Sequence, residues 1–493
     1  MAPITSLERY RRTLLFLEQG LTPEEIRSLG GGATQFSLNS GDPLAGVSQH
    51  DLGLYFLDDW RVRRNFTLSL GLRYETQNNI SDWRDWAPRV GFAWAPGGGQ
   101  QSKTVVRGGS GIFYDRINRN LTLQTLRFNG SNQLQYIVQN PDFYPLVPSP
   151  EDLAGQLAPQ VIRVMSPDTR APYMLHSAIG IERQLPWNTT VAATYTNSRS
   201  FHLLRSVSLD ALTGAGAPIS GAADVFQYET TGIFRQNQLI FNVRSRFHPR
   251  VSLFGFYALN KAMSDTDGAG SFPANPFDLR ADYGRSSEDV RHRVFLGGSV
   301  TAPVGLRFNP FIILQSGRPF NLTTGTDNNS DLIFSDRPAF ATDPSDPDVV
   351  VTELGAFDTT PDSGASLVPR NFGAGPSLTA VNLRLSKTWG FGASRASSAD
   401  AGQGGGATGD MIMMGGGRGR GRRGGWRRGE ENGKRYALTF SVSARNILNI
   451  TNPGTPIGNL SSPLFGESNS SAGFGRGGNA GNRTLMLQLR FSF

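Results

Sequence analysis

The chain ends in RTLMLQLRFSF, residues 483–493. Leu485, Leu487, Leu489, Phe491 and Phe493 take every second position. Thr484, Gln488, Arg490 and Ser492 lie between them, with Met486 the only apolar residue in that second set. Side chains alternate faces along a strand, so one face here is apolar and the other wet. A half-buried strand of a soluble sheet alternates in the same way. Length and the aromatic finish separate the two cases, because about eleven residues is what a tilted strand needs to cross a bilayer core. The stretch is expected to be the closing strand of an antiparallel outer-membrane β-barrel.

Composition agrees. A chain of 493 residues exceeds the usual single compact core, which leaves several domains or one large barrel. Hydrophobic content of 38% and 59 glycines suit a barrel, which buries little protein core and needs many turns and polar loops. No run approaches the ~18 apolar residues of a membrane helix, so any crossing is made by strands. Cysteine is absent, which excludes disulfides and thiolate metal sites. Arg9, Arg11 and Arg12 precede only a short apolar stretch at 13–17, too short for the core of a signal peptide. An exported barrel needs such a signal, so the expectation is that the chain is the C-terminal portion of a longer protein.

The net charge of +8 is mostly local. Residues 415–435 carry Arg418, Arg420, Arg422, Arg423, Arg427, Arg428, Lys434 and Arg435 against Glu430 and Glu431. Basicity of the whole is therefore no evidence for a nucleic-acid partner.

Residues 1–31 form a helical loop segment by pattern. Leu7, Tyr10, Leu14, Leu17 and Leu21 keep helical spacing, and Thr22-Pro23-Glu24-Glu25 offers a capping box. Residues 32–493 form the barrel domain, with about fourteen strands expected near 33–39, 51–61, 65–76, 86–95, 103–115, 172–184, 188–197, 234–247, 250–261, 290–301, 304–317, 378–390, 434–448 and 483–493. In the clearest, Phe66, Leu68, Leu70, Leu72 and Tyr74 face one way while Thr67, Ser69, Gly71, Arg73 and Glu75 face the other. Aromatics such as Tyr55, Trp60, Trp86, Trp94, Tyr114, Trp389 and Tyr436 sit towards strand ends, as interfacial girdles do.

Connection lengths alternate. Short turns are expected at 62–64, 96–102, 186–187, 248–249 and 302–303, and long loops at 116–171, 198–233, 262–289, 318–377 and 449–482. Counted along the chain, short ones fall on one side and long ones on the other, as in outer-membrane barrels with short periplasmic turns and long external loops. The exception is 391–433, the Gly/Arg-rich stretch, expected to be a disordered insertion on the short-turn side.

Asp51-Leu-Gly-Leu-Tyr-Phe-Leu-Asp-Asp-Trp-Arg61 followed by Asn65-Phe-Thr-Leu-Ser-Leu-Gly-Leu-Arg-Tyr-Glu75 resembles a hairpin of TonB-dependent receptors, in particular the Oar-like group. The likeness continues through residues 86–96 and 103–115, Asp289-Val-Arg-His-Arg293, Ala444-Arg-Asn-Ile-Leu-Asn449 and the terminal Phe493. It covers roughly residues 32–493. It implies a large barrel with an N-terminal plug, energised through TonB for import of a bulky ligand. It also implies that the alternating 485–493 strand is read by the barrel-assembly machinery. This chain departs from the pattern in showing about fourteen strands, no plug-like segment and no extension for a TonB-contacting box, so the TonB complex is a partner only with a plug upstream.

Three motifs invite other readings. The Gly/Arg tract at 415–428 has the composition of RNA-binding segments, but a flexible solvated insertion accounts for it. Asp327, Asn329 and Asp331 stand at the first, third and fifth positions of a calcium loop. Leu332 and Pro338 occupy the sixth and twelfth positions, where Gly and Glu belong, so an Asx-rich turn is the favoured reading. Residues 473–478 match GxGxxG by letter but precede a strand rather than a helix. No pair of histidines, nucleophile elbow or phosphate loop appears, so neither an enzyme nor a cofactor is expected. The function expected is an outer-membrane receptor or transporter barrel for a bulky polar organic ligand, set in outer-membrane lipid. The alternatives are a structural or adhesive surface barrel without transport, and a soluble carbohydrate-binding β protein.

Overall fold

In the computed structural model the described residues are 6–33, 35–97, 102–139, 141–155, 160–209, 223–329, 333–362, 364–394, 434–472 and 482–493. Thirteen strands form one antiparallel meander. They are β1 Asp51–Arg63, β2 Phe66–Gln77, β3 Asp85–Trp94, β4 Thr104–Tyr114, β5 Tyr173–Leu185, β6 Thr189–Ser208, β7 Ala223–His248, β8 Val251–Ser264, β9 His292–Thr301, β10 Leu306–Gln315, β11 Leu378–Ser394, β12 Lys434–Arg445 and β13 Thr484–Ser492. Each pairs with its neighbour in sequence. The edge strands are β1 and β13, and both are exposed along almost their whole length. Among the described residues the barrel is not closed.

Apolar side chains cover the outside of this sheet. Leu485, Leu487, Leu489 and Phe491 are 66%, 69%, 68% and 53% exposed. They stand opposite Ala444, Val442, Phe440 and Leu438 of β12. Tyr74 packs on Trp86 across β2 and β3 at 4.8 Å, and Phe391 and Phe491 stack at 6.1 Å. The other face is polar and in places buried, with Thr196, Ser198, Asn260 and Ser441 all under a tenth exposed. On it Arg384 donates to Ser441 at 3.2 Å and to Gln488 at 3.3 Å. A sheet with its grease outside and its hydrogen-bonding groups inside is stable only with lipid as its outer solvent. Close strand contacts demand glycine at intervals. The Phe92 ring lies where a Cβ on Gly108 would have to go, 2.6 Å away.

The short connections are 64–65, 95–103, 186–188, 249–250 and 302–305, all at one end of the meander. The long ones gather at the other end and fold into a layer with its own core. Phe320, Leu322, Phe357, Val368 and Leu460 form one buried cluster there, and Ile137, Val161 and Phe226 another. Within residues 316–377, Pro319–Phe320 pairs with Gly373–Ala374, and Ala339–Phe340, Val349–Thr352 and Gly355–Asp358 make a small sheet. The 446–483 connection reaches the sheet's inner face, where Ala472 packs on Ile313, Leu378 and Ala380.

The capping box is present, with Thr22 and Glu25 exchanging hydrogen bonds at the start of Pro23–Ser28 after the helix Ser6–Glu18. The motifs of the family resemblance have structural work here. Asn446 bonds Ile450 through both its amide atoms at 3.0 and 2.8 Å, and Asn449 accepts from the Arg483 amide at 3.1 Å. Both asparagines have positive φ, at 47° and 54°, a conformation their side chains tolerate. Together they turn the chain out of β12 and pin its return to β13.

Four expectations need correction. Residues 198–208 and 223–233, expected within a loop, are strand: β6 runs 20 residues and β7 runs 26. At ~3.3 Å per residue this hairpin stands far clear of a membrane that ~10 residues cross. The loop layer buries Ser198, Ser200, Arg205 and Ser206 of β6, so packing overrides their weak strand preference. The first expected strand is Gln35–Gly41, but it pairs with Gln133–Gln139 in the loop layer and not with the meander. Gln133–Gln139 and Gln160–Met165 lie within the expected loop 116–171, and the latter runs parallel to the start of β7. Finally, β11 continues to Ser394, into the stretch assigned to the insertion; residues 395–433 lie outside the described ones.

Candidate functional site

The loop layer is tied together by buried ion pairs between segments distant in sequence. Arg205 of β6 meets Asp265 at 2.7 Å, and Asp265 also accepts the Ile233 amide at 2.7 Å. Asp289, fully buried, accepts the Ala262 amide at 2.8 Å and the guanidiniums of Arg285 and Arg291 at 3.2 Å each. This is the structural role of the Asp289-Val-Arg-His-Arg293 motif. Arg337 pairs with Asp282, both nearly inaccessible, and donates to the carbonyls of Val368 at 2.8 Å and Ala281 at 3.2 Å. Arg370 pairs with Asp267 and reaches Ser271 at 3.3 Å.

Between these pairs lies a cavity of about 390 Å³, walled by Phe272, Asn321, Asp336, Arg337 and Arg370 among others. It draws on the 265–291 and 316–377 connections. Burial raises the Asp336 carboxyl to about 6, and the Asn328 amide, bonding it at 2.7 Å, opposes that shift while the charge of Asp327 adds to it. Burial also raises Asp282, against the pull of Arg337. Arg337 itself is lowered by burial, with Asp282 opposing.

A second cavity of about 540 Å³ shares Gly270 and Phe272 with the first. Arg127, Phe128, Arg163 and Tyr228 line it, from the 115–172 connection and the outer part of β7. Arg127 donates to Gln133 at 2.8 Å and Arg163 to Gln135 at 3.2 Å. Arg163 also stacks over Phe226 at 5.5 Å. Among the described residues neither guanidinium has a carboxylate partner. The second cavity offers guanidinium, amide, phenol and ring faces and no carboxylate, which suits a polar organic molecule with negative charge, whereas Asp267, Asp282 and Asp336 line the first beside its two arginines.

The residues singled out from sequence fall elsewhere. Leu485, Leu487, Leu489, Phe491 and Phe493 lie on the outer face along β13, which runs from the long-connection end at Thr484 to the short-turn end at its C-terminus. Asp327 and Asn329 sit in the 316–377 connection, where the amides of Asn328 and Asn329 bond Asp336. Asp331, the Gly/Arg tract at 415–428 and residues 473–478 lie outside the described residues. Sequence reading missed Arg127, Arg163, Arg337 and Arg370. Their partners across the layer are as much as 55 and 103 residues away, so no local pattern marks them.

Comparison with known proteins places this architecture. The outer membrane beta barrel domain family matches residues 27–82 and 78–398, and the chain belongs to that family. The outer membrane transporter YddB from Escherichia coli is similar at 13% identity and TM-score 0.53, covering 90% of this chain and 45% of that one. The siderophore receptor PirA from Acinetobacter baumannii aligns at 9% identity and TM-score 0.46, over 90% of this chain and 46% of that one. The FrpB iron transporter from Neisseria meningitidis (F3-3 variant) aligns at 10% identity and TM-score 0.45, over 90% and 45%. The chain thus spans about half the length of these structures. No curated protein matches it. This is an outer-membrane β-barrel, set in lipid, with a fold similar to that of the outer membrane transporter YddB. The soluble carbohydrate-binding alternative is overturned by the family match and by the apolar outer face.

Proposed function

We propose that the chain forms the barrel wall and loop layer of a receptor that captures a bulky, polar, negatively charged organic ligand for uptake, with the TonB complex supplying energy through a plug domain. The supporting observation is the second cavity of the loop layer, where Arg127 and Arg163 line the space without carboxylate partners among the described residues. Ferric citrate, a polyanionic chelate, is the probe, with neutral maltohexaose as the contrast. Calorimetry on the full chain in detergent is expected to show saturable chelate binding, at least tenfold weaker in Arg127→Gln/Arg163→Gln. Equal affinity of the two proteins would remove the reading.

The apolar row Leu485, Leu487, Leu489, Phe491 and Phe493 is proposed to be read by the barrel-assembly machinery. Phe491→Ser/Phe493→Ser is expected to cut the amount assembled in the outer membrane by tenfold or more. Wild-type amounts of membrane-inserted protein from that variant would sink the proposal.

Residues 327–329 are proposed to be an Asx-rich turn held on Asp336 and not the start of a calcium loop. The Asp336 carboxyl is raised from 3.8 to about 6 in the fold, so the folded layer binds the proton more tightly than the unfolded chain. This contribution to stability is complete below about pH 4 and lost as pH rises through about 6. The 316–377 connection should therefore resist protease better at pH 5 than at pH 8. Asp336→Asn should flatten that difference, and added calcium should leave the cleavage pattern unchanged at either pH.

A further inference from the structure

We propose that the inner face of the barrel wall at the short-turn end carries a binding site for a multivalent phosphate-type oxyanion. A cavity of about 640 Å³ lies there, built by β6 to β10. Arg244, Arg246, Arg250 and Arg307 line it, and no carboxylate does. Among the described residues none of the four guanidiniums makes an ion pair. The loop layer at the other end is the opposite case, where Arg205, Arg285, Arg291, Arg337 and Arg370 all meet carboxylates.

Strand register gathers these like charges. Arg244 stands opposite Thr190 of β6 and Phe254 of β8, on the face that carries Thr196 and Ser198. Arg307 stands opposite Thr301 of β9, and the Thr301 amide donates to the Arg250 carbonyl at 2.8 Å. The Arg246 amide is tied to the Asn188 carbonyl at 3.1 Å. The backbone is thus fixed on paired strands and turns, and the four charged heads share one concavity. Like charges held together repel, and the repulsion is relieved when an anion enters. Guanidinium forks beside the hydroxyls of Thr190, Ser252 and Ser299 fit tetrahedral oxyanions, which accept from several directions at once. Four positive charges ask for more than one negative charge, which favours a diphosphate or a phosphate ester over chloride or a lone carboxylate. The site is remote from the loop-layer cavities and does not depend on the function proposed for them.

The test is calorimetry with inorganic pyrophosphate on the full chain in detergent at low salt, with dihexanoyl phosphatidic acid as the second arm. Saturable pyrophosphate binding is expected, weakened at least tenfold in Arg244→Ala/Arg307→Ala and unchanged in Arg127→Gln/Arg163→Gln. Arg244→Lys/Arg307→Lys should fall between, because charge is kept and the fork is lost. Tighter binding of the phosphatidic acid, with the same dependence on arginine, would identify a lipid headgroup as the source of the phosphate. Absence of saturable binding to either probe, or full affinity in the alanine or the lysine variant, would overturn the proposal.

Discussion

Produced alone in an outer membrane, these 493 residues are expected to give no sealed monomeric barrel. The reason is strand parity. Neighbours in the meander are antiparallel, so β1 and β13, the first and thirteenth, run in the same direction. Bringing the two edges together would make a parallel joint, against the up-and-down pattern of outer-membrane barrels. An antiparallel closure needs an odd number of further strands between them. A second copy in the same membrane orientation does not help, since its β1 also meets β13 in parallel. Left open, each edge presents a row of unpaired N–H and C=O groups to hydrocarbon. At several kcal/mol per group the cost is on the order of tens of kcal/mol, more than the net stability of most proteins. The measurement is heat-modifiable migration on gels together with single-channel recording. A heat-modifiable monomer with steady conductance would show that the wall closes in some other way.

The second large effect belongs to Arg337. Its guanidinium is buried, pairs with the buried Asp282 and holds the carbonyls of Val368 and Ala281. Arg337→Ala leaves a carboxylate uncompensated and two carbonyls with a lost donor. Removing one member of a buried pair costs about 3–5 kcal/mol. The damage should stay in the loop layer, because the meander is held by its own ladders. Hydrogen exchange in 316–377 is expected to speed up roughly a hundredfold or more, while β2 to β12 keep their protection. Uniform loss of protection through the strands would mean that the layer and the wall fold as one unit. Arg337→Lys should be milder, since the charge remains and only the fork is lost.

The strands were far more legible than the site. Thirteen of the fourteen expected strands lie in the meander, and all but β6 and β7, which run eleven residues further into the loop layer, keep within a few residues of their expected bounds, because a lipid-facing strand repeats its apolar residues every second position over about ten residues. The lipid, a uniform solvent, imposes that pattern on each strand separately. Residues 198–208 and 223–233 lie beyond that solvent, and their strand character comes from the packed layer around them. Gln133–Gln139 and Gln160–Met165 were missed for the same reason. Gln35–Gly41 was found, but its partner was not, since pairing in the layer joins segments nearly 100 residues apart.

The candidate and proposed site residues divide in the same way. Leu485, Leu487, Leu489, Phe491 and Phe493 announce themselves by alternation and length. Arg127 and Arg163, and the four arginines at the short-turn end, look in sequence like any surface arginine. Their meaning depends on whether a carboxylate stands across from them, which only the register and the loop packing decide. A membrane-crossing β-sheet, its strand order and the alternation of short and long connections could all be read from the residues alone, because each follows from local period and spacing. The tertiary structure alone decided that the long connections form a layer with its own core, which arginines are paired and which face open space. Those properties arise from contacts between residues distant in the chain, and local periodicity carries no record of them.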